Sequence, residues 1–177
     1  METSPLEVIH RDTVSTLSFD ASVPCSLIVW HGFASSADFR ATCLRGLDLM
    51  RERRFSKGIS DARNLRIISL ADQQWFTEEY VPMVLELGLS PVLYSAVVLP
   101  KDFFGRQSLD QIVEQVDEVM TQTTYQDQRI RTEYFEDYAA ARAWLLSVDS
   151  VDAAPHAATD AATDTAAADQ SSCAETV

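Results

Sequence analysis

The spacing of apolar and polar side chains predicts that the chain begins with three strands. A period of two marks short strands at Glu7–Arg11 and at residues 16–20. In the second of these, Leu17 and Phe19 alternate with polar residues and should face a core. The nearly continuous apolar run at residues 26–30 then predicts a central strand that is covered on both faces.

Helices and strands alternate after this opening. Capping boxes, in which a serine precedes an acid or amide by three residues, predict three helix starts: Ser35 with Asp38, Ser69 with Asp72, and Ser108 with Gln111. Asp137 should cap a last helix, and Pro82 should kink or divide the second one, which Gly88 ends. Further strands are predicted at residues 57–63, 92–99 and 129–135. The loop before the third helix should contain Phe103 and Phe104.

The fold class predicted by this order is α/β. The elements run β-β-β-α-β-α-β-α-β-α, which favours a mixed, largely parallel β-sheet flanked by about four helices. Residues 1–151 should form this single domain. Residues 152–177 are rich in Ala, Asp and Thr. They hold too few apolar side chains to offset the entropy of ordering, so a disordered acidic tail is expected.

Composition and charge narrow the classes of function. The formal net charge is −13, with only two lysines among 14 cationic residues, so nucleic acid is not an expected partner. No apolar run reaches the length of about 18 residues that a membrane span requires. The acidic N-terminus does not resemble a signal peptide, which predicts a cytoplasmic location. Three cysteines and three histidines show no metal-binding spacing, and no cofactor or metal is expected.

A serine hydrolase is one function that two short motifs suggest. His31-Gly32 follows an apolar strand, and Ser60 lies between Gly58 and Ala62 as a nucleophile would in a strand-to-helix turn. The catalytic histidine of such an enzyme should follow the serine, and here only His156 in the tail does so. A base without packing cannot be held within hydrogen-bond reach of a nucleophile. The chain is therefore not expected to be an enzyme.

Several local strings resemble a known superfamily. They are Trp30-His31-Gly32, Ser60-Asp61-Ala62-Arg63, Asp72-Gln73-Gln74-Trp75, Pro82 with Gly88, Val97-Val98-Leu99-Pro100-Lys101-Asp102, and Tyr134-Phe135 through Trp144-Leu145. Together they resemble the STAS/SEC14-like, or SpoIIAA-like, superfamily of small bacterial domains. The resemblance covers about residues 8–146 and is closest to bacterial STAS/SEC14-domain proteins that are largely uncharacterised.

This resemblance implies both a fold and candidate site residues. The implied fold is a single SpoIIAA/STAS-like domain, an open sheet flanked by helices. STAS regulators present a phosphorylatable serine at a helix N-terminus, and Ser69 occupies that kind of position, although the family's Asp-Ser-Ser-Gly string is absent here. Sec14-type relatives bind lipids in an apolar groove. For such a site the candidate residues are Trp75, Tyr80, Phe103 and Phe104.

Three hypotheses of function follow. The first is a non-enzymatic STAS-like regulatory or protein-interaction module, which binds another protein or a second copy of itself. The alternative is a binder of a small apolar or lipid-like ligand, and the last is the serine hydrolase. An exposed Phe103–Phe104 patch without a cavity favours the first, and an apolar pocket of several hundred Å³ near Trp75 favours the second.

Overall fold

The computed structural model describes residues 6–121 and 127–152. Its strands are β1 (Glu7–Arg11), β2 (Ser15–Asp20), β3 (Cys25–Trp30), β4 (Lys57–Asp61), β5 (Val92–Val98) and β6 (Arg129–Phe135). Its helices are α1 (Ser36–Arg53), α2 (Leu70–Trp75), α3 (Val81–Glu86), α4 (Phe103–Met120) and α5 (Tyr138–Asp152), and a π-helical segment (Phe76–Tyr80) joins α2 to α3. The predicted α/β class and element order are confirmed.

The six strands form one mixed sheet in which they lie side by side in chain order. β1, β2 and β3 are antiparallel, whereas β3, β4, β5 and β6 are parallel. Because the strands follow each other in one direction, right-handed crossovers place the connecting helices on one face of the sheet. The largely parallel sheet expected from the sequence is thus present.

The two faces of the sheet are covered differently. α1, α2, the π-helical segment, α3 and α4 lie over one face, which we call the helix-layer face. Of the described helices, only α5 covers the opposite face, where Ala141, Leu145 and Val148 pack against β3, β4 and β5. We call this second face the α5 face.

Local sequence signals explain where most helices begin. The hydroxyl of Ser35 accepts a hydrogen bond from the backbone N–H of Asp38 at 3.3 Å, and Ser69 accepts one from Asp72 at 3.2 Å. The carboxylate of Asp137 accepts a hydrogen bond from the backbone N–H of Ala140 at 2.8 Å. Each cap satisfies a donor that the first helical turn leaves free. These three predicted starts are confirmed.

The second helix is divided as predicted, although the break has a more specific form. Pro82 lies in the first turn of α3, where its missing N–H costs little. The turn before it widens into the π-helical segment, which ends at Tyr80. Gly88 follows α3 with a φ of +56°, a left-handed conformation that favours glycine.

The predicted start of the helix after β5 is wrong. Phe103 and Phe104 do not lie in a loop but form the first turn of α4, because Asp102 caps this helix by accepting a hydrogen bond from the N–H of Gly105 at 2.9 Å. Ser108 is a buried residue within α4, and its hydroxyl donates to the carbonyl of Phe104 at 2.9 Å. The sequence contains two possible N-cap residues, Asp102 and Ser108, and α4 begins after the earlier one.

The polar residues of β2 are also more buried than an alternating pattern indicates. Asp20 is only 3% exposed and accepts a hydrogen bond from Arg142 Nε of α5 at 2.8 Å. α1 packs on one side of β2, and this ion pair covers the other. The predicted tail, residues 152–177, lies outside the described residues from position 153 onward. None of the helices in the described ranges is long and apolar enough to cross a membrane.

Candidate functional site

A cavity of about 480 Å³ lies between the helix-layer face of the sheet and the helices above it. Its floor is formed by β3, β4, β5 and β6. Its walls are formed by α1, the π-helical segment, α3 and α4. Most of the side chains that line the walls are apolar, among them Phe39, Phe76, Val84, Ile112 and Val116. A volume of this size is within the range of about 300–1,000 Å³ that small-molecule sites occupy.

Small residues at matching positions of four strands explain why the cavity exists. Ser26 of β3 is paired with Gly58 of β4, Gly58 with Ser95 of β5, and Ser95 with Thr132 of β6. Side chains at such aligned positions of a sheet project to the same face. All four residues line the cavity. A row of small side chains across the sheet therefore leaves space where a row of Val, Ile or Leu would meet the helices.

Solvent accessibility differs between the two faces of the same strands. On the α5 face, Ile59 is 2% exposed and Ala96 and Val98 are fully buried. On the helix-layer face, their neighbours Ser60 and Ser95 are partly accessible although helices lie above them. Central strands of a sheet covered on both faces are normally dry on both. The accessible surface of Ser60 and Ser95 belongs to the floor of the cavity.

The cavity opens between α4 and β6. Its exposed lining residues are Asp117 on α4 and Arg131 and Tyr134 on β6. Among the described elements, α4 lies close to α2 and to the π-helical segment. The exposure of these lining residues places the entrance between α4 and the edge strand β6.

Polar groups without partners face the cavity. Within the described ranges, the hydroxyls of Ser26, Ser95 and Thr132 make no hydrogen bond with other side chains or with the backbone. The hydroxyl of Tyr80 is likewise without a bond there, and burial raises its pKa, so it remains protonated. Each of the four oxygens keeps some accessible surface, because none is among the fully buried polar atoms without a partner in the described residues. These four hydroxyls are therefore available to water or to a bound molecule.

The charges around the cavity are acidic. Burial, followed by the nearby carboxylates of Asp110 and Asp117, raises the pKa of Tyr134 to about 12. Two cationic residues contribute to the lining, but their charged groups lie on the α5 face. Lys57 Nζ donates a hydrogen bond to the carbonyl of Leu145 at 3.2 Å. The guanidinium of Arg131 lies over the ring of Trp144, at 5.6 Å from its centroid.

 

Neither Lys57 nor Arg131 therefore directs its charge into the cavity, whereas Asp117 lines the entrance.

Of the predicted site residues, Tyr80 lines the cavity and Trp75 lies directly behind it. Trp75 is 7% exposed, and its ring lies 5.8 Å from that of Tyr80 and 6.4 Å from that of Phe39. The guanidinium of Arg40 covers Trp75 at 5.0 Å from the ring centroid. Trp75 thus packs behind Tyr80 and Phe39, which line the cavity, but does not line the cavity itself.

Phe103 and Phe104 lie apart from this cavity. They are 72% and 60% exposed, and their rings contact each other at 5.6 Å between centroids. Ile67 in the β4–α2 loop and Leu70, the first residue of α2, are exposed as well. The sequence grouped the two phenylalanines with Trp75 and Tyr80, but the structure separates them into a surface pair and a buried pair.

Ser69 is an exposed N-cap whose hydroxyl is already engaged. Its Oγ donates to Asp72 Oδ2 at 2.6 Å. Asp72 is 3% exposed and also accepts hydrogen bonds from Ser36 Oγ at 2.6 Å and Arg40 Nε at 2.9 Å. The structure therefore places Ser69 in a polar cluster that joins α1 to α2.

The residues of the hydrolase hypothesis are not joined to one another. Ser60 Oγ accepts a hydrogen bond from the indole N–H of Trp30 at 3.2 Å, and His31 Nε2 lies 2.8 Å from Thr16 Oγ1. His156 lies outside the described residues. Within the described ranges, no group of His, Cys, Asp and Glu side chains is arranged to hold a metal ion.

Comparisons with family models, with curated proteins and with solved structures find no match for this chain. The fold and the cavity define it as an α/β domain with a six-stranded mixed sheet and a cavity on one face of that sheet.

Sequence reasoning missed most of the cavity. The signal was present in the strands, since Ser26, Gly58, Ser95 and Thr132 are small residues inside segments otherwise rich in large apolar side chains. Their alignment depends on the register between strands, which the pattern along a single strand does not contain.

Proposed function

We propose that this domain binds a small, largely apolar molecule in the cavity between the helix-layer face and α4. The observation that supports it is the 480 Å³ space lined by apolar walls and by hydroxyls without partners. A concave apolar site with a few convergent polar groups is the usual form of a small-molecule site. An apolar molecule of matching size would gain dispersion contacts with these walls.

The test is to identify what the protein carries. Native mass spectrometry of the full chain, purified gently from its own cells, should show a bound mass in the small-molecule range. A titration with the uncharged dye N-phenyl-1-naphthylamine should then give saturable fluorescence. Ser95→Leu, which places a larger side chain in the cavity, should abolish the dye signal.

The matched control is Ala139→Leu, which adds the same side chain at an exposed position of α5 on the opposite face. This variant should bind the dye as the unaltered chain does. The proposal fails if the dye does not bind, or if Ser95→Leu binds it with unchanged affinity while remaining folded.

A second candidate function, a protein-interaction module, is favoured by the exposed Phe103–Phe104 pair. Exposed large apolar side chains in contact with each other are typical of interaction surfaces. Exposed cations lie nearby, Arg66 and Lys101 in the adjoining loops and Arg106 on α4, on a chain whose net charge is −13. This combination favours a partner protein with an acidic and apolar contact surface.

Affinity capture with three variants tests this second function. Phe103→Ser combined with Phe104→Ser should lose the partner, and so should Arg66→Glu combined with Lys101→Glu. Leu146→Ser, which changes an exposed apolar residue of α5, should retain it. A partner that survives both double substitutions does not use this surface and contradicts the assignment.

A further inference from the structure

Resting on the proposed ligand-binding function, we infer that the cavity selects an uncharged amphiphile, a mostly hydrocarbon molecule with a hydroxyl or carbonyl oxygen, and discriminates against carboxylates. The inference depends on three features: the unpartnered hydroxyls on the floor, the acidic entrance, and the direction of the nearby cations.

The floor supplies hydrogen bonds at defined positions. Ser26, Ser95 and Thr132 belong to one row across the sheet, and Gly58 leaves a gap within that row. A Cβ at Gly58 would lie 3.2 Å from Ser26 Oγ, so the glycine keeps this hydroxyl open to the cavity. Hydroxyls donate and accept equally well, which suits an alcohol or a carbonyl group.

The tyrosines contribute hydroxyl groups that stay neutral. Burial raises the pKa of Tyr80, and the pKa of Tyr134 is about 12, so both are protonated at neutral pH. A protonated phenol donates a hydrogen bond to an oxygen of the ligand. Tyr134 lies at the entrance and Tyr80 on the wall.

The same surroundings disfavour an anionic ligand. A buried carboxylate needs a cation or several donors to offset its desolvation. The charged groups of Lys57 and Arg131 lie on the α5 face, whereas Asp117 lines the entrance and Asp110 acts on the same tyrosine. A carboxylate would therefore enter past two like charges and find no counter-charge directed into the cavity from the described residues.

The experiment compares three ten-carbon ligands, decanol, decanoate and decylamine, by displacement of N-phenyl-1-naphthylamine at pH 7. Decanol should displace the dye at a concentration about tenfold lower than decanoate. Asp117→Asn should reduce this difference between the two ligands, because decanoate should bind more tightly when the negative charge at the entrance is removed. Ser95→Ala should weaken decanol by about threefold and leave the dye, which has no hydroxyl or carbonyl oxygen, unchanged.

The matched control is Glu133→Gln, which removes one negative charge from β6 on the face that Arg131 occupies. This substitution should leave the ratio of the displacing concentrations of decanol and decanoate unchanged. Equal binding of decanol and decanoate, or tighter binding of decylamine than of decanol, overturns the selectivity while the proposed function stands. Absence of dye binding instead overturns the proposed function itself.

Discussion

At the scale of single residues, Asp72 shows how one carboxylate connects distant segments. It is buried at the start of α2 and accepts hydrogen bonds from Ser36, Ser69 and Arg40. Ser36 and Arg40 belong to α1, so the cluster fixes the position of α2 beside it. The capping box was readable from the sequence, but the contacts with α1 were not.

Asp72→Asn should destabilise the fold by about 2–3 kcal/mol, because hydrogen bonds to a charged acceptor are among the stronger ones. Urea unfolding measures this difference. Asp48→Asn is the control, since Asp48 forms an exposed ion pair with Arg51 and should cost less than about 1 kcal/mol. Equal effects of the two substitutions would contradict the structural role of Asp72.

The contribution of Asp72 should depend on pH. Burial of the carboxylate acts to raise its pKa, but the hydrogen bonds from Ser36, Ser69 and Arg40 hold the pKa below its ordinary value of 3.8. The stabilisation is therefore fully present above the unfolded pKa and is lost as pH falls through the folded one. The stability difference between the unaltered chain and Asp72→Asn should stay constant from about pH 7 to 5 and shrink below about pH 4.

At the scale of elements, the contact of α4 with the β4–α2 loop depends on a glycine. A Cβ at Gly105 would lie 2.6 Å from the carbonyl oxygen of Leu65 and 2.9 Å from that of Arg66. At these distances the added Cβ would clash with the loop backbone, so that either α4 or the loop would have to move. The first turn of α4 can approach the loop only without a side chain there.

Gly105→Ala should therefore lower the free energy of unfolding by about 1–3 kcal/mol, as overpacking does. Gly46→Ala is the matched control within α1, where the nearest atom to the new Cβ is Ile28 Cδ1 at an ordinary 3.5 Å. That substitution should leave stability unchanged or raise it by up to about 1 kcal/mol, because alanine favours a helix. Thermal or urea unfolding of both variants separates these outcomes.

At the scale of the whole molecule, the sheet has one tightly packed face and one that carries a cavity. Ser95 and Ala96 are neighbours on β5 and face opposite sides. Ala96 is fully buried beneath α5, whereas Ser95 is partly accessible beneath the helix layer. Substituting leucine at each of these two positions therefore compares how densely the two faces are packed.

Ser95→Leu should lower the free energy of unfolding by less than about 1 kcal/mol, or should raise it, because the new side chain fills space in the cavity. Ala96→Leu should cost about 1–3 kcal/mol or more, because it overpacks a filled face. Chemical unfolding of both variants measures the contrast. Similar destabilisation by both would mean that the helix-layer face is as densely packed as the α5 face.

The sequence by itself determined the order of the elements, their class and most helix caps, because hydrophobic period and capping chemistry act over a few residues. It also marked Tyr80 as a candidate site residue. The alignment of Ser26, Gly58, Ser95 and Thr132 was decided only by tertiary structure, since register between strands joins residues far apart in the chain. The separation of Phe103 and Phe104 from the cavity was also decided by tertiary structure, because the approach of Gly105 to the β4–α2 loop sets where the first turn of α4 lies.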